Sequence, residues 1–164
     1  MRGSIDTLVL GIGNTQLGDD GAGVHALRRV ERLLGGAEGV EFLDGSALTQ
    51  ALLPTLERFE RWIVLDASNL QRTPGTIETF EGPDMDEFLA RPRRTAHETS
   101  LAEIVTGLRQ GGKLPARRAL VAIQPDRIDP APRPSRRVTA ALDEAAVAAI
   151  SFICHWDAEA GAPA

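Results

Sequence analysis

The sequence predicts a three-layer αβα sandwich, in which helices cover both faces of a mostly parallel central sheet. Short apolar runs alternate along the chain with longer segments whose apolar residues recur at helical spacing. The short runs are apolar at successive positions, which is typical of strands buried on both faces. No internal repeat or long linker divides the 164 residues, so residues 1–164 are predicted to form a single α/β domain.

The predicted elements follow this alternation. Five strands are predicted, the fourth at a sheet edge because its apolar residues alternate: residues 7–12, 40–43, 62–65, 76–80 and 119–123. Helices are predicted at residues 20–34, 47–59, 97–108 and 136–156. Pro54 is expected either to kink the second helix or to mark its true first turn. The small residues from about 158 onward predict a disordered tail.

Composition and charge narrow the function classes. The formal net charge is −5, which argues against nucleic acid or an anionic membrane as the main partner. Cys154 is the one cysteine, so no internal disulfide framework is expected, and a reducing compartment is favoured. No leader sequence and no apolar run of about 20 residues is evident, so we expect a cytoplasmic protein that does not span a membrane.

The loop after the first strand carries two neighbouring carboxylates. Nucleotide-binding folds place a glycine-rich phosphate loop at this point, and Gly11-Ile12-Gly13 resembles its start. Here, however, Gln16 stands where the third glycine belongs, and Asp19 and Asp20 follow. Two negative charges would repel a pyrophosphate, whereas they suit a cation or a general base. The loop therefore predicts a cation site rather than a nucleotide site.

Acids also follow the second and third strands, at Asp44 and Asp66. Ligand sites in open parallel sheets lie outside the carboxyl ends of the strands, so these acids and Asp20 are expected at one edge. Taken singly, each is more typical of a helix cap or a turn. His97 opens a predicted helix, where it could cap that helix or face the same edge. Together Asp20, Asp66 and His97 would form a mixed oxygen–nitrogen site suited to zinc, nickel or a similar ion.

Other hydrolase patterns are missing from the sequence. There is no Gly-x-Ser-x-Gly elbow and no His-Glu-x-x-His helix. Cys154 and His155 are adjacent, and adjacent helical positions point about 100° apart, so they do not predict a catalytic pair. A serine or cysteine hydrolase is therefore disfavoured.

The stretch Gly-Ile-Gly-Asn-Thr-Gln-Leu-Gly-Asp-Asp-Gly-Ala-Gly at residues 11–23 resembles the opening signature of the nickel–iron hydrogenase maturation endopeptidases. Later segments resemble the same family in the same order: residues 43–47, 63–67, 97–103 and 121–125. The resemblance covers about residues 5–155. The sequence departs from the family pattern at Asp20, where Glu is frequent, and at Ser46 and Ala47, which replace Gly-Thr.

This resemblance implies an endopeptidase that removes a C-terminal extension from the hydrogenase large-subunit precursor after nickel insertion. It implies that the substrate supplies the nickel, and that Asp20, Asp66 and His97 are the catalytic and metal-sensing residues. Zinc or cadmium could occupy the same site in the free protein. Asp44 matches a position associated with substrate recognition. Two alternatives stay open: a nickel-sensing chaperone that binds the precursor without cutting it, and a peptidyl-tRNA hydrolase, which the acidic charge disfavours.

Overall fold

The computed structural model describes residues 6–47, 49–92 and 96–161, without the side chains of residues 96–99. Five strands form one sheet in the order β2-β1-β3-β5-β4. Their bounds are β1 Thr7–Gly11, β2 Val40–Asp44, β3 Arg61–Ala67, β4 Ile77–Glu81 and β5 Arg117–Ile123. β2, β1, β3 and β5 run parallel, and β4 pairs antiparallel with β5 at one edge. The predicted mostly parallel sheet is confirmed.

Five helices accompany the sheet in the described part of the chain: α1 Ala22–Leu34, α2 Leu53–Leu56, α3 Pro83–Leu89, α4 Ala96–Gln110 and α5 Arg136–Ala160. Two short 3-10 turns, Gly18–Gly21 and Gln50–Leu52, precede α1 and α2. α1 therefore begins two residues later than predicted, because Asp20 lies in a 3-10 turn.

The helices lie in two layers because the strands bury both faces. Leu10 of β1 packs into a cluster with Met85 and Leu101, from α3 and α4. Its neighbour Val9 points to the opposite face and belongs to a cluster formed with α1 and α5. The sheet thus lies between α1 and α5 on one side and α2, α3 and α4 on the other, as predicted for a three-layer single domain.

Three helix predictions differ from the structure. The helix predicted at residues 47–59 is reduced to a 3-10 turn and the one-turn α2, because Pro54 occupies a first-turn position; Leu48 lies outside the described residues. α3 was not predicted, since it has only seven residues and begins directly after Gly82, which has a positive φ of 56°. α5 continues to Ala160, so the tail predicted from about 158 is helical for three of its residues.

α5 is also longer and more apolar than the sequence analysis indicated. Its 25 residues and a mean hydropathy of 1.4 over its most apolar stretch would by themselves suffice to cross a membrane. In the structure one side of this helix is buried against the sheet, through Leu142, Ala145, Ile153 and Trp156 among others. That one-sided burial is typical of a core helix in an α/β domain.

Candidate functional site

The chain makes a close turn where β1 ends. Gly13 has a φ of 127°, and a Cβ on it would lie 1.9 Å from the carbonyl oxygen of Asp20, so only glycine fits. The N–H of Ile12 still donates to the carbonyl of Leu65, at 2.9 Å, which extends the pairing of β1 with β3. The turn that carries Asp20 is therefore folded back against the end of the sheet.

Asp20 and Asp66 are both buried at this carboxyl edge, with 5% and 1% of their surface exposed. Oδ2 of Asp20 accepts a hydrogen bond from the backbone N–H of Asn14, at 3.0 Å. α1 starts directly after the turn, and a Cβ on Gly23 would lie 2.2 Å from the carbonyl oxygen of Leu65. Because Leu65 precedes Asp66, this close contact brings the turn of Asp20 to the end of β3. The structure thus places two of the predicted site residues at the same edge.

Asp44 ends β2, two strands away from β3 in the sheet. It is exposed, and its Oδ1 accepts hydrogen bonds from the backbone N–H of Ser46, at 2.9 Å, and from the Ser46 hydroxyl. Asp44 therefore lies at the predicted edge, and Ser46, a departure from the family pattern, orients its carboxylate. Its role in substrate recognition stays a prediction.

Asp19 does not share the environment of Asp20, although the sequence suggested a pair of carboxylates for one cation. Its side chain is fully buried and accepts hydrogen bonds from the residues that follow β5. The two neighbouring acids in one 3-10 turn consequently have different partners. The interpretation of Asp19 and Asp20 as a paired cation site is wrong for Asp19.

His97 lies in the first turn of α4, as the sequence predicted for a helix-opening residue. Its side chain is outside the described part of the structure, so its position relative to Asp20 and Asp66 stays a prediction. Among the side chains that the structure does describe, no group of three His, Cys, Asp or Glu residues is arranged to hold a metal ion. The proposed three-residue set therefore depends on the one side chain outside this description.

Gln124, which the sequence patterns did not single out as a site residue, organises the loop after Asp66. Gln124 is buried, and its Oε1 accepts hydrogen bonds from the backbone N–H groups of Leu70, at 2.6 Å, and Arg72, at 3.4 Å. Between them Gln71 has a positive φ of 56°. A polar Gln-Pro pair directly after the apolar strand β5 was the signal in the sequence that could have drawn attention to it.

His25, the fourth residue of α1, lines a groove separate from Asp20 and Asp66. It lines a surface groove of about 600 Å³ together with Arg28, Arg32 and Leu142. Burial, and then the positive charges of Arg28 and Arg29, lower the pKa of His25 below its ordinary value of 6.5. Its Nε2 is buried, and no hydrogen-bond partner for it occurs among the described residues. His25 is therefore favoured as a neutral residue of the α1 surface.

Comparison with solved structures first shows that the fold is one found in endopeptidases. The solved structure of the hydrogenase maturating endopeptidase HybD from Escherichia coli has the same fold, with a TM-score of 0.84 at 24% identity over 92% of this chain and 93% of that one. A solution structure of an endopeptidase from E. coli matches with a TM-score of 0.83 at 26% identity, over 95% and 94% of the two chains.

The sequence comparisons then give the family. Residues 24–152 match the family model described as hydrogenase maturation protease. The hydrogenase expression/formation protein HupD from Rhodobacter capsulatus is 35% identical over 118 residues, which span 72% of this chain but 56% of that protein. The chain belongs to the hydrogenase maturation protease family.

Proposed function

We propose that this chain is the endopeptidase that removes the C-terminal extension of a nickel–iron hydrogenase large-subunit precursor once nickel is in place. The proposal rests on family membership and on one structural observation. Two carboxylates are buried at the carboxyl edge of the sheet, that of Asp20 on a turn that requires glycine at position 13 and that of Asp66 near the end of β3. Ligand sites in parallel sheets lie at the carboxyl ends of the strands, so ionisable groups buried at this edge support it as the place for the chemistry.

The donors of the proposed site fit nickel that is held by the substrate. Two carboxylates and the imidazole of His97 would offer oxygen and nitrogen ligands, which suit borderline divalent ions, and leave positions for ligands from the precursor. The nickel would supply Lewis acidity at the scissile carbonyl. The chain's own carboxylates offer a second contribution, as a general base towards water. In the free protein, zinc or cadmium would be accepted by the same donors.

Recognition of nickel would make cleavage conditional. A precursor without nickel would give Asp20, Asp66 and His97 no cation to share. The negative charges of the two aspartates would then stay uncompensated when the precursor binds at this edge. Asp44, at the end of β2, is proposed to contact the precursor beside the cleavage position. We propose a cytoplasmic site of action, with the precursor as partner and neither nucleic acid nor membrane involved.

The direct test incubates the purified chain with its cognate precursor, with and without nickel, and measures intact masses. Loss of the C-terminal extension only from the nickel-loaded precursor is the expected result. Binding without any loss of mass would contradict the proposal and favour the nickel-sensing chaperone. Cleavage of the nickel-free precursor at the same rate would contradict nickel sensing but would still support peptidase activity.

The site assignment is tested with the same assay. His97→Ala is expected to abolish processing of the nickel-loaded precursor. Cys154→Ser, which alters an exposed free cysteine, is the matched control and should process at the wild-type rate. Normal processing by His97→Ala would contradict its place in the site, and a large loss in Cys154→Ser would point to a thiol mechanism.

A further inference from the structure

We propose that Asp19 is the positioning residue of this site: its buried carboxylate fastens the turn Gly18–Gly21 to the segment at residues 125–135 and so holds Asp20 in place. This inference rests on the proposed function. It concerns a residue that touches neither nickel nor substrate and that acts through its neighbour.

The hydrogen bonds of Asp19 use both carboxylate oxygens. Oδ2 accepts from the backbone N–H groups of Asp126, at 2.8 Å, and Arg127, at 3.2 Å, and from the Ser135 hydroxyl at 2.9 Å. Oδ1 accepts from the backbone N–H of Ser135 at 2.6 Å. Asp19 has no exposed surface, so water cannot take the place of these four donors. Bonds to a charged acceptor are about twice as strong as neutral ones, so this cluster is a firm attachment.

Backbone pairing just before Asp19 reinforces the attachment. The N–H of Gly18 donates to the carbonyl of Ala131, at 3.1 Å, and the N–H of Ala131 donates to the carbonyl of Gln16, at 3.0 Å. Ser135 is in addition the N-cap of α5, since its hydroxyl accepts from the N–H of Val138. The turn is therefore joined through residues 125–135 to the start of a 25-residue core helix.

The position of Asp20 depends on this attachment because both acids lie in the same 3-10 turn. Asp20 has a different partner, since its Oδ2 accepts the N–H of Asn14. Without the bonds of Asp19, backbone pairing with Ala131 would be the remaining attachment to this segment, so the turn would loosen and displace the Asp20 carboxylate and its bond to Asn14. An amide could not replace the carboxylate, because asparagine has one acceptor oxygen and its NH₂ would face N–H donors.

The decisive variant is Asp19→Asn, with Asp86→Asn as the matched control. Asp86 is partly buried and accepts hydrogen bonds from Arg118, but it lies on α3 at the other end of the sheet. We expect Asp19→Asn to lower the kcat for the nickel-loaded precursor about 10- to 100-fold, as small displacements of reacting groups do. Asp86→Asn should keep the wild-type kcat at a temperature where both variants are folded.

A second readout does not depend on activity. The ¹H–¹⁵N resonance of the Asn14 amide reports its bond to Asp20, so it should shift, and exchange faster with solvent, in Asp19→Asn but not in Asp86→Asn. If the wild-type chain fails to process any precursor, the proposed function fails, and the Asn14 resonance still decides the positioning role.

Two results would overturn the inference: a folded Asp19→Asn with the wild-type kcat, or one with an unchanged Asn14 resonance. If Asp19→Asn does not fold, Ser135→Ala takes its place, since it removes the hydroxyl that donates to Asp19 and caps α5 but keeps the carboxylate and its three backbone donors. A displaced Asn14 resonance in Ser135→Ala would then support the positioning role, and an unmoved one would contradict it.

Discussion

Acidic residues at the two ends of the parallel strands are stabilised in different ways. At the amino ends, Asp86 is bound by the guanidinium groups of Arg118 and Arg109, and Asp157 by that of Arg61. At the carboxyl ends, the hydrogen bonds described for Asp19 and Asp44 come from backbone N–H groups and serine hydroxyls. A guanidinium neutralises a carboxylate, whereas neutral donors orient it and leave its charge in place. For these four acids, the difference separates pairs that stabilise the fold from carboxylates that keep their charge, although the ion pairs Arg72–Glu78 and Arg127–Asp129 also occur at the carboxyl end.

The largest expected effect on processing comes from removing the charge of Asp66 at the carboxyl end. Asp66→Asn removes a buried charge at the carboxyl edge and keeps the size of the side chain, so we expect processing of the nickel-loaded precursor to fall at least about 100-fold. Intact-mass time courses measure the rate, and circular dichroism establishes that the variant is folded. Processing at the wild-type rate would show that the charge at this edge is not used.

Gly23→Ala tests whether the close contact between α1 and β3 positions the edge. The new methyl group would lie 2.2 Å from the backbone oxygen of Leu65, so α1 must shift, at a cost of about 1–3 kcal/mol in the free energy of unfolding. Urea unfolding measures this cost, and the processing rate should fall with it.

Gly107→Ala is its matched control within a helix. A Cβ on Gly107, in α4, would meet nothing within 4 Å, so this change should stabilise the protein by about 0.5–1 kcal/mol. Equal effects of the two substitutions would contradict the packing role of Gly23.

Asp86→Asn addresses the amino end of the sheet. Burial opposes ionisation of Asp86, but the hydrogen bonds and charges of Arg118 and Arg109 outweigh it and hold its pKa below 3.8. Losing the pair should cost about 1–3 kcal/mol of unfolding free energy while processing is unchanged.

The sign of the pH dependence follows from the lowered pKa. The stabilisation by Asp86 is complete above the pKa of the unfolded chain, about 3.9, and is lost as the pH falls through the lower folded value. Urea midpoints measured from pH 6 to pH 2 should therefore fall less steeply in Asp86→Asn than in the wild type. Parallel curves would contradict the ion pair.

The smallest expected effect concerns His25. Because its pKa is lowered in the folded protein, the unfolded chain binds the proton more readily, and stability should decline as the pH falls below about 6.5. His25→Gln should flatten this part of the profile in urea unfolding at pH 7.5 and 5.5, with no change in processing at pH 7.5. An unchanged slope would show that His25 titrates normally.

The sequence predicted the strands well because each buried strand is an apolar run that ends at a glycine, an acid or a proline. It predicted the edge positions of Asp44 and Asp66 for the same reason. It did not separate Asp19 from Asp20, because neighbouring aspartates are chemically identical and only donors far along the chain distinguish them. α2 and α3 were misjudged because helices of four and seven residues carry too little periodicity to be recognised.

The attachment of Asp19 has a consequence for how this protein matures. Its donors lie 107 to 116 residues further along the chain, so the bonds span most of the polypeptide. During synthesis the turn beside β1 leaves the ribosome early, but it cannot be completed until residues 126–135 have also emerged. Contacts between such distant segments form late in folding. The growing chain would therefore hold an incomplete site until residues 126–135 and the start of α5 have left the ribosome.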